Sequence, residues 1–219
     1  MKRRLIIFAK EPTAGMVKTR LAGRLSPSRR VDLYKAFLMD TIELAKRVRC
    51  GEKIISYESR GQEPVYIKKI AIRNFKFFRQ TGRNLGERMH NVFKSAAKNG
   101  RCKTVIIGSD SPTLPTRFIE NAFSRLSKSS VVLGPSRDGG YYLIGLKRPC
   151  PAIFRGIRWG SDTVMEDTVR RAKACGTKVS LMEKWYDVDS AEALAYLESD
   201  LKSKKIKGAR WTRRFLKIS

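Results

Sequence analysis

Residues Val105–Pro112 read VIIGSDSP, and the fold turns on this stretch. Val105, Ile106 and Ile107 form a short apolar run that suits a strand buried on both faces. Gly108 breaks the run, and Ser109, Asp110, Ser111 and Pro112 follow at once. In an open α/β sheet, ligands bind outside the carboxyl ends of the strands. A carboxylate just past a buried strand can hold a divalent cation and, through it, a nucleotide's phosphates. Asp110 also reads as the cap of the next turn, because Asx-Ser-Pro stretches serve that purpose.

Outward from this stretch, the same pattern recurs in both directions. Arg4–Ala9 is an uninterrupted apolar strand, and Lys53–Tyr57, Phe75–Arg79, Val131–Leu133, Tyr141–Leu146 and Val179–Met182 read as further strands. Between them lie helical patterns. Ser26-Pro27 is a cap followed by a first-turn proline, and Val31, Tyr34, Leu38, Ile42, Ala45 and Val48 recur at helical spacing behind it. Asn84 caps a helix to about Lys98 that Gly100 ends, Thr116 caps one to about Leu126, Ser161 leads one to Cys175-Gly176, and Ser190 caps the last. Ser59–Ile70 is polar and carries no clear period. Alternating strand and helix, without repeat or linker, predicts a single three-layer α/β/α domain with a mostly parallel sheet. That domain spans residues 1–201, and residues 202–219 form a basic C-terminal extension.

Composition narrows the function. At 219 residues with 42% hydrophobic content, the chain can bury a real core. No apolar run approaches the roughly 18 residues of a membrane span. The opening patch Leu5–Ala9 is shorter than the roughly 7–15 residues of a signal core, so a cytoplasmic protein is expected. Cys50, Cys102, Cys150 and Cys175 have neither zinc-ligand nor redox spacing. His90 is the only histidine. Metal chemistry would therefore rest on carboxylates, which favours Mg²⁺ or Mn²⁺ over zinc.

Lys and Arg number 47 against 20 Asp and Glu, a formal charge of +27. Such a charge attracts polyanions and phosphorylated ligands. The loop Lys10–Leu21 holds Gly15, Lys18 and Arg20 and is a plausible phosphate cradle, although it lacks the Walker A ending. Arg83 and Arg88 read either as solvated charges or as ligand-facing ones. Gly139 and Gly140 beside Asp138 permit close backbone approach to a ligand, but Asp-Gly is also a strong hairpin signal. Asp187 and Asp189 point the same way if their segment is extended. The tail, with Trp211, Phe215 and Leu216 among Arg210, Arg213 and Arg214, could lie on an acidic surface, a membrane or nucleic acid.

Together, FAKEPTAGMVKTRL (Phe8–Leu21), QTGRNLGERM (Gln80–Met89), IGSDSPTL (Ile107–Leu114), VLGPSRDGGYYLIGL (Val132–Leu146), WGSDTV (Trp159–Val164) and DVDS (Asp187–Ser190) occur in one order that resembles the nucleotide-diphospho-sugar transferase superfamily, with its GT-A-like fold. More narrowly, the chain resembles a small bacterial and archaeal group labelled glycosyltransferases, some tied to arsenosugar biosynthesis. It is also similar to 2-phospholactate and molybdopterin guanylyltransferases. The resemblance covers roughly residues 4–200. It implies that Lys18 and Arg20 meet phosphates, that Asp110 bridges metal and nucleotide, and that Asp187 or Asp189 is the second carboxylate on the cation. It further implies that Gly139, Gly140 and Ser161 line the acceptor or sugar side, and that Gly82, Leu85 and Gly86 shape the base pocket. The chain departs from the pattern at Asn84, where an acid is usual, and at Gly160-Ser161, where Ser-Thr is usual.

The chemistry also follows from charge alone. Displacement at a phosphoryl or anomeric centre leaves charge on phosphate oxygens, and a carboxylate-held cation with Lys18 and Arg20 stabilises it. Asp138 is the nearest base for an acceptor hydroxyl. The expected activity is a metal-dependent transfer from a nucleotide-activated donor, glycosyl transfer from an NDP-sugar to a small-molecule acceptor first. Nucleotidyl transfer with pyrophosphate release is second. A non-catalytic nucleic-acid-binding protein is the remote third, resting on charge and tail.

Overall fold

The structure is a computed structural model that describes residues 1–59, 61–71, 73–98, 100, 102–203 and 206–219. Lys204 and Lys205 of the tail lie outside the described residues. In chain order the elements are β1 (Lys2–Lys10), α1 (Pro27–Arg47), β2 (Glu52–Glu58), α2 (Val65–Ala71), β3 (Lys76–Arg79), α3 (Leu85–Lys98) and β4 (Cys102–Gly108). They continue with α4 (Thr116–Arg125), β5 (Val131–Pro135), β6 (Tyr141–Leu146), α5 (Val164–Ala174), β7 (Val179–Leu181), α6 (Ala191–Lys202) and α7 (Arg210–Leu216).

The seven strands form one sheet in the order β3-β2-β1-β4-β6-β5-β7. The β1–β2, β1–β4, β2–β3 and β5–β7 pairs are parallel, while β6 runs antiparallel to both β4 and β5. The chain lays β2 and β3 on one flank of β1 and then returns to place β4 on the other. The boundary between β1 and β4 is thus the topological switch point, and ligands bind outside the strand ends there.

Period-two alternation sorts the strand residues onto two apolar faces. Leu5, Ile7, Ile55, Val105, Ile107, Val132 and Leu143 pack with α1, α2 and α4 on one side. Ile6, Ile54, Ile106, Leu133, Ile144 and Leu146 pack with α3 and α5 on the other. At about 1.5–3 kcal/mol for each large side chain removed from water, these layers are the main favourable term in folding.

The helix starts follow local chemistry. Ser26 Oγ accepts from Arg29 N at 3.4 Å, and Ser190 Oγ accepts from Ala193 N at 3.2 Å. Asn84 Oδ1 accepts from Glu87 N at 2.9 Å, and the Glu87 carboxylate accepts from Arg83 N at 2.9 Å, a reciprocal cap on α3. Two expected caps shift. Pro115 is the cap of α4 and Thr116 is its first residue, because proline supplies the extended backbone of a cap. Thr163 rather than Ser161 precedes α5, and Ser161 Oγ accepts from Thr163 N at 3.4 Å. The stretch without a clear period contains the short α2, whose Ile67 and Ala71 are buried.

The C-terminal segment folds onto α1. Asp40, 4% exposed, accepts from Trp211 N at 3.0 Å, Thr212 N at 2.8 Å and Thr212 Oγ1 at 2.6 Å. A side chain from another helix thus satisfies the first-turn amides that α7 leaves open. Ala209, Phe215, Leu216 and Ile218 join a third apolar cluster with α1 and α6. Among the described residues no helix is long and apolar enough to cross a membrane.

Candidate functional site

A cleft of about 560 Å³ opens over the carboxyl ends of β1, β2 and β4. At its centre is Lys18. Its ammonium donates to Asp110 Oδ1 at 2.5 Å, to the Val188 carbonyl at 2.8 Å and to Asp189 Oδ1 at 3.0 Å. The Lys18 side chain is 1% exposed, whereas those of Asp110 and Asp189 are 37% and 44% exposed. The cation therefore lies beneath two carboxylates that still face the cleft. Lys18 holds this place with a left-handed backbone, φ 51°, which a non-glycine residue adopts at some cost. Its Nζ also lies 5.0 Å from the centre of the Phe37 ring.

Three chain segments meet here. The loop after β1 brings Lys18. The turn after β4 brings Asp110, whose carbonyl accepts from Val188 N at 2.9 Å, so the third segment, 187–189, is pinned beside it. Tyr34 of α1 buttresses the pair of loops, its hydroxyl within 2.8 Å of Ser109 Oγ and accepting from Lys10 N at 2.8 Å.

The electrostatics follow from crowding. Burial lowers the Lys18 pKa, but the Asp110 and Asp189 carboxylates outweigh it and hold it above the ordinary lysine value. Burial raises Asp110, against the pull of Lys18, and Asp189 adds repulsion. Asp189 is also penalised by burial, yet Lys18 and then Arg20 and Lys10 bring it below the usual carboxylate range. Among the described residues, Asp187 pairs with no cation. Burial pushes it up to about 7, against the Ser111 hydrogen bond, and the charges of Asp110, Asp189 and Asp138 add to the rise. Ser111 Oγ lies 2.9 Å from the Tyr186 carbonyl and also touches an Asp187 carboxylate oxygen. A hydroxyl has one proton. That one proton is shared between the Tyr186 carbonyl and the Asp187 carboxylate, so Ser111 offsets the burial of Asp187 only in part.

The sequence-selected residues divide into two groups. Lys18, Arg20, Leu85, Asp110, Asp187 and Asp189 line the cleft. The others do not. Gly15 lies in the β1 loop with φ 76°. Gly82 has φ 137°, and Gly86 lies against the Trp159 indole with no room for a Cβ. Asp138 Oδ1 accepts from Gly140 N at 3.1 Å at the tip of the β5–β6 hairpin. Gly139 abuts the Asp162 backbone, and its carbonyl accepts from Met165 N at 2.9 Å. Ser161 Oγ donates to the Arg158 carbonyl at 2.8 Å. The hairpin tip and the 158–163 loop thus pack on each other.

Sequence reasoning did not select Lys10, Tyr34, Glu58, Gln80, Tyr141 or Tyr142, all of which line the cleft. Lys10 and Glu58 pair at the carboxyl ends of adjacent strands, and a charge closing an apolar strand was the available signal. Of the two ambiguous arginines, Arg88 faces the cleft, while the Arg83 side chain is 92% exposed.

Among the described residues no group of three or more His, Cys, Asp or Glu side chains is arranged as a metal site. The donor set nevertheless fits Mg²⁺ or Mn²⁺. These ions prefer oxygen ligands, and Mg²⁺ is usually held by one or two carboxylates, with water and substrate phosphates completing the shell. Asp110, Asp187 and Asp189 carry more negative charge than the single Lys18 between them offsets.

Comparison with known proteins agrees with this fold. The family model DUF2064, described as an uncharacterized protein conserved in bacteria, matches residues 41–161. A crystal structure from Desulfovibrio desulfuricans G20, provisionally named a nucleotide-diphospho-sugar transferase, is 31% identical, covers 99% of this chain and 95% of its own, and superposes with a TM-score of 0.88. The 2-phospho-L-lactate guanylyltransferase of Methanothermobacter thermautotrophicus is 28% identical over 181 residues, 81% of this chain and 76% of that protein. The 4-diphosphocytidyl-2C-methyl-D-erythritol synthase of Anaerococcus prevotii shares the fold, with a TM-score of 0.59 at 14% identity over 90% of this chain and 96% of its own.

Proposed function

Given that the chain belongs to the bacterial family DUF2064, we propose that it is a transferase using a nucleotide-activated donor and acting by glycosyl transfer from an NDP-sugar to a small-molecule acceptor. One observation carries the reading. Lys18 Nζ bridges Asp110 and Asp189 at the switch point of the sheet, inside the main cleft.

In this reading Arg20 at the rim meets the donor's phosphates, and Lys18, kept charged beneath its two carboxylates, adds positive charge from below and holds those carboxylates in place. Fixed cations aimed where charge develops lower the barrier most effectively in a partly dry cleft. A divalent cation, Mg²⁺ or Mn²⁺, held by Asp110 with Asp187 and Asp189, would supply a compact double charge to the same phosphate oxygens. A base is needed only where the acceptor hydroxyl must lose its proton. Asp138, on the hairpin tip and close enough for its charge to act on Asp187, is the candidate. The resemblance assigns Gly139, Gly140 and Ser161 to the acceptor side, outside the residues that line the cleft, and Gly15, Gly82 and Gly86 to loops around the donor.

A second reading is nucleotidyl transfer, and the guanylyltransferase relative favours it. The two differ in the leaving group. Phosphorus NMR of reactions with NDP-sugars and with nucleoside triphosphates separates them: free NDP means glycosyl transfer, and pyrophosphate means nucleotidyl transfer. Failure of every nucleotide, with and without Mg²⁺ or Mn²⁺, to shift the melting temperature would overturn both.

A further inference from the structure

A second hollow, of about 330 Å³, lies beyond the Asp110 turn. It shares no lining residue with the cleft. Three parts of the chain wall it: the C-terminal half of α1, the segment from Pro112 into the first turn of α4, and residues 206–209 ahead of α7. The bonds from Trp211 and Thr212 to Asp40 hold the third wall against the first.

Donors outnumber acceptors here. Arg47, Arg117 and Lys207, one from each wall, are exposed around the hollow, and among the described residues none of them forms an ion pair. Arg47 engages only Nε, on the Glu43 carbonyl at 3.4 Å. The Arg117 guanidinium lies 5.3 Å from the centre of the Phe118 ring, a contact that leaves its N–H groups open. Pro115 caps α4 without a side-chain hydrogen bond, so Thr116 N and Arg117 N, like Thr116 Oγ1, have no partner among the described residues. The indole N–H of Trp185, which also lines the hollow, is buried and unpaired. The acceptors are already engaged. Asp40, the only carboxylate of the lining, takes three bonds from α7. The Ile206 and Gly208 carbonyls accept from Arg213 NH2 at 2.9 Å and Nε at 3.2 Å.

Three unpaired cations around one hollow repel one another, and an anion between them turns that repulsion into attraction. The ligand that fits is negative and only accepts hydrogen bonds. A phosphate group has this character, with close to two charges and three acceptor oxygens when singly esterified, and the open amides at the start of α4 favour it further. The volume lies at the lower end of the range for small-molecule pockets, about 300–1,000 Å³. It admits a phosphate ion or a small phosphate ester rather than a run of nucleic-acid backbone. The geometry points to a second anion site in this protein, where Arg47, Arg117 and Lys207 take the phosphate group of a free ion or a small phosphomonoester. The site stands apart from the nucleotide-donor reading. A ligand bound there ties the C-terminal segment to the chain that follows Asp110.

The test is thermal unfolding of the full chain at fixed pH and ionic strength, with phosphate, glycerol 2-phosphate or acetate replacing chloride. Phosphate should raise the midpoint saturably, and acetate should not. Arg117→Gln with Lys207→Gln, both exposed and checked for the parent's midpoint in chloride, should weaken the apparent phosphate affinity about tenfold or more, as expected when two charge-assisted hydrogen bonds are lost. Arg47→Gln, on a different wall, should weaken it too. Arg20→Gln in the cleft should keep the response, and so should Lys173→Gln with Lys178→Gln, exposed residues in and just after α5. A response to both phosphate and glycerol 2-phosphate assigns the site to phosphomonoesters, and a response to phosphate alone assigns it to the free ion. Loss in Arg20→Gln with retention in the Arg117 and Lys207 variant places the phosphate in the cleft and overturns the second site. Equal loss in every variant means an adventitious ion only, drawn by the +27 surface, and overturns it as well. So does a response to neither phosphate compound, or an RNA affinity that falls in the Arg117 and Lys207 variant while phosphate has no effect.

Discussion

Replacing Asp187 by Asn should stabilise the free protein, and the gain should depend on pH. Asp187 titrates near 7 in the folded chain against an ordinary 3.8. A carboxyl with a raised pKa binds its proton more tightly when folded, so stability is full below about 4, falls as pH rises toward 7, and is level above that. At 1.36 kcal/mol per pH unit the ceiling on this loss is about 4 kcal/mol. Partial exposure of the residue brings the expected value to about 2–4 kcal/mol. Asn keeps the shape and, through its amide oxygen, the acceptor for Ser111 Oγ. Urea unfolding of both proteins between pH 4.5 and 8.5, with a chelator present, isolates the difference. The variant should exceed the parent by about 1 kcal/mol or less at pH 4.5 and by about 2–4 kcal/mol at pH 8. Equal pH slopes, or a variant less stable at pH 8, would refute the account of Asp187 as a carboxyl held against its own ionisation.

Asp110→Ala should leave the circular dichroism spectrum unchanged and abolish any Mg²⁺- or Mn²⁺-dependent rise in melting temperature with nucleotide; a retained rise would remove Asp110 from the site. Asp40→Ala removes the acceptor of three hydrogen bonds to α7 and should cost about 2–4 kcal/mol, read as a lower urea midpoint and early proteolysis near residue 210. Gly86→Ala forces a methyl into the Trp159 ring and should cost about 1–3 kcal/mol, visible as altered tryptophan fluorescence and a lower midpoint. Association with heparin or RNA should weaken steeply with salt, and Arg210→Glu with Arg214→Glu, both exposed, should reduce it if the tail carries the contact; unchanged binding would assign it to the rest of the +27 surface.

Much of the fold was legible because its strands are buried on both faces. Leu5–Ala9, Val105–Ile107 and Val131–Leu133 announce themselves as unbroken apolar runs, and Ser26, Asn84 and Ser190 mark helix starts by their own hydrogen bonds. The direction of β6 was not legible. Tyr141–Leu146 is as apolar as the strands it runs against, and only the Asp-Gly turn before it hinted at a reversal. VYIKKIA, the sequence of α2, is too short for a helical period to emerge from its polar surroundings. The meeting of Lys18, Asp110 and Asp189 was legible as three strand-end motifs, but the contact between them depends on sheet order. Glu58 and Arg88 were hidden for a different reason. In a chain with 47 cations a single arginine carries almost no signal until its partner is known.

The reversed strand β6 has a consequence for how such a protein diversifies. Because β6 returns between β4 and β5, the five residues joining it to β5 emerge at the same rim as the switch point, yet they are anchored to the 158–163 loop and not to β1 or β2. The two walls of the mouth are therefore separately mutable. On the acceptor-side reading proposed for this hairpin, grafting a different 136–140 tip onto the scaffold should change the recipient molecule and leave nucleotide binding unaltered.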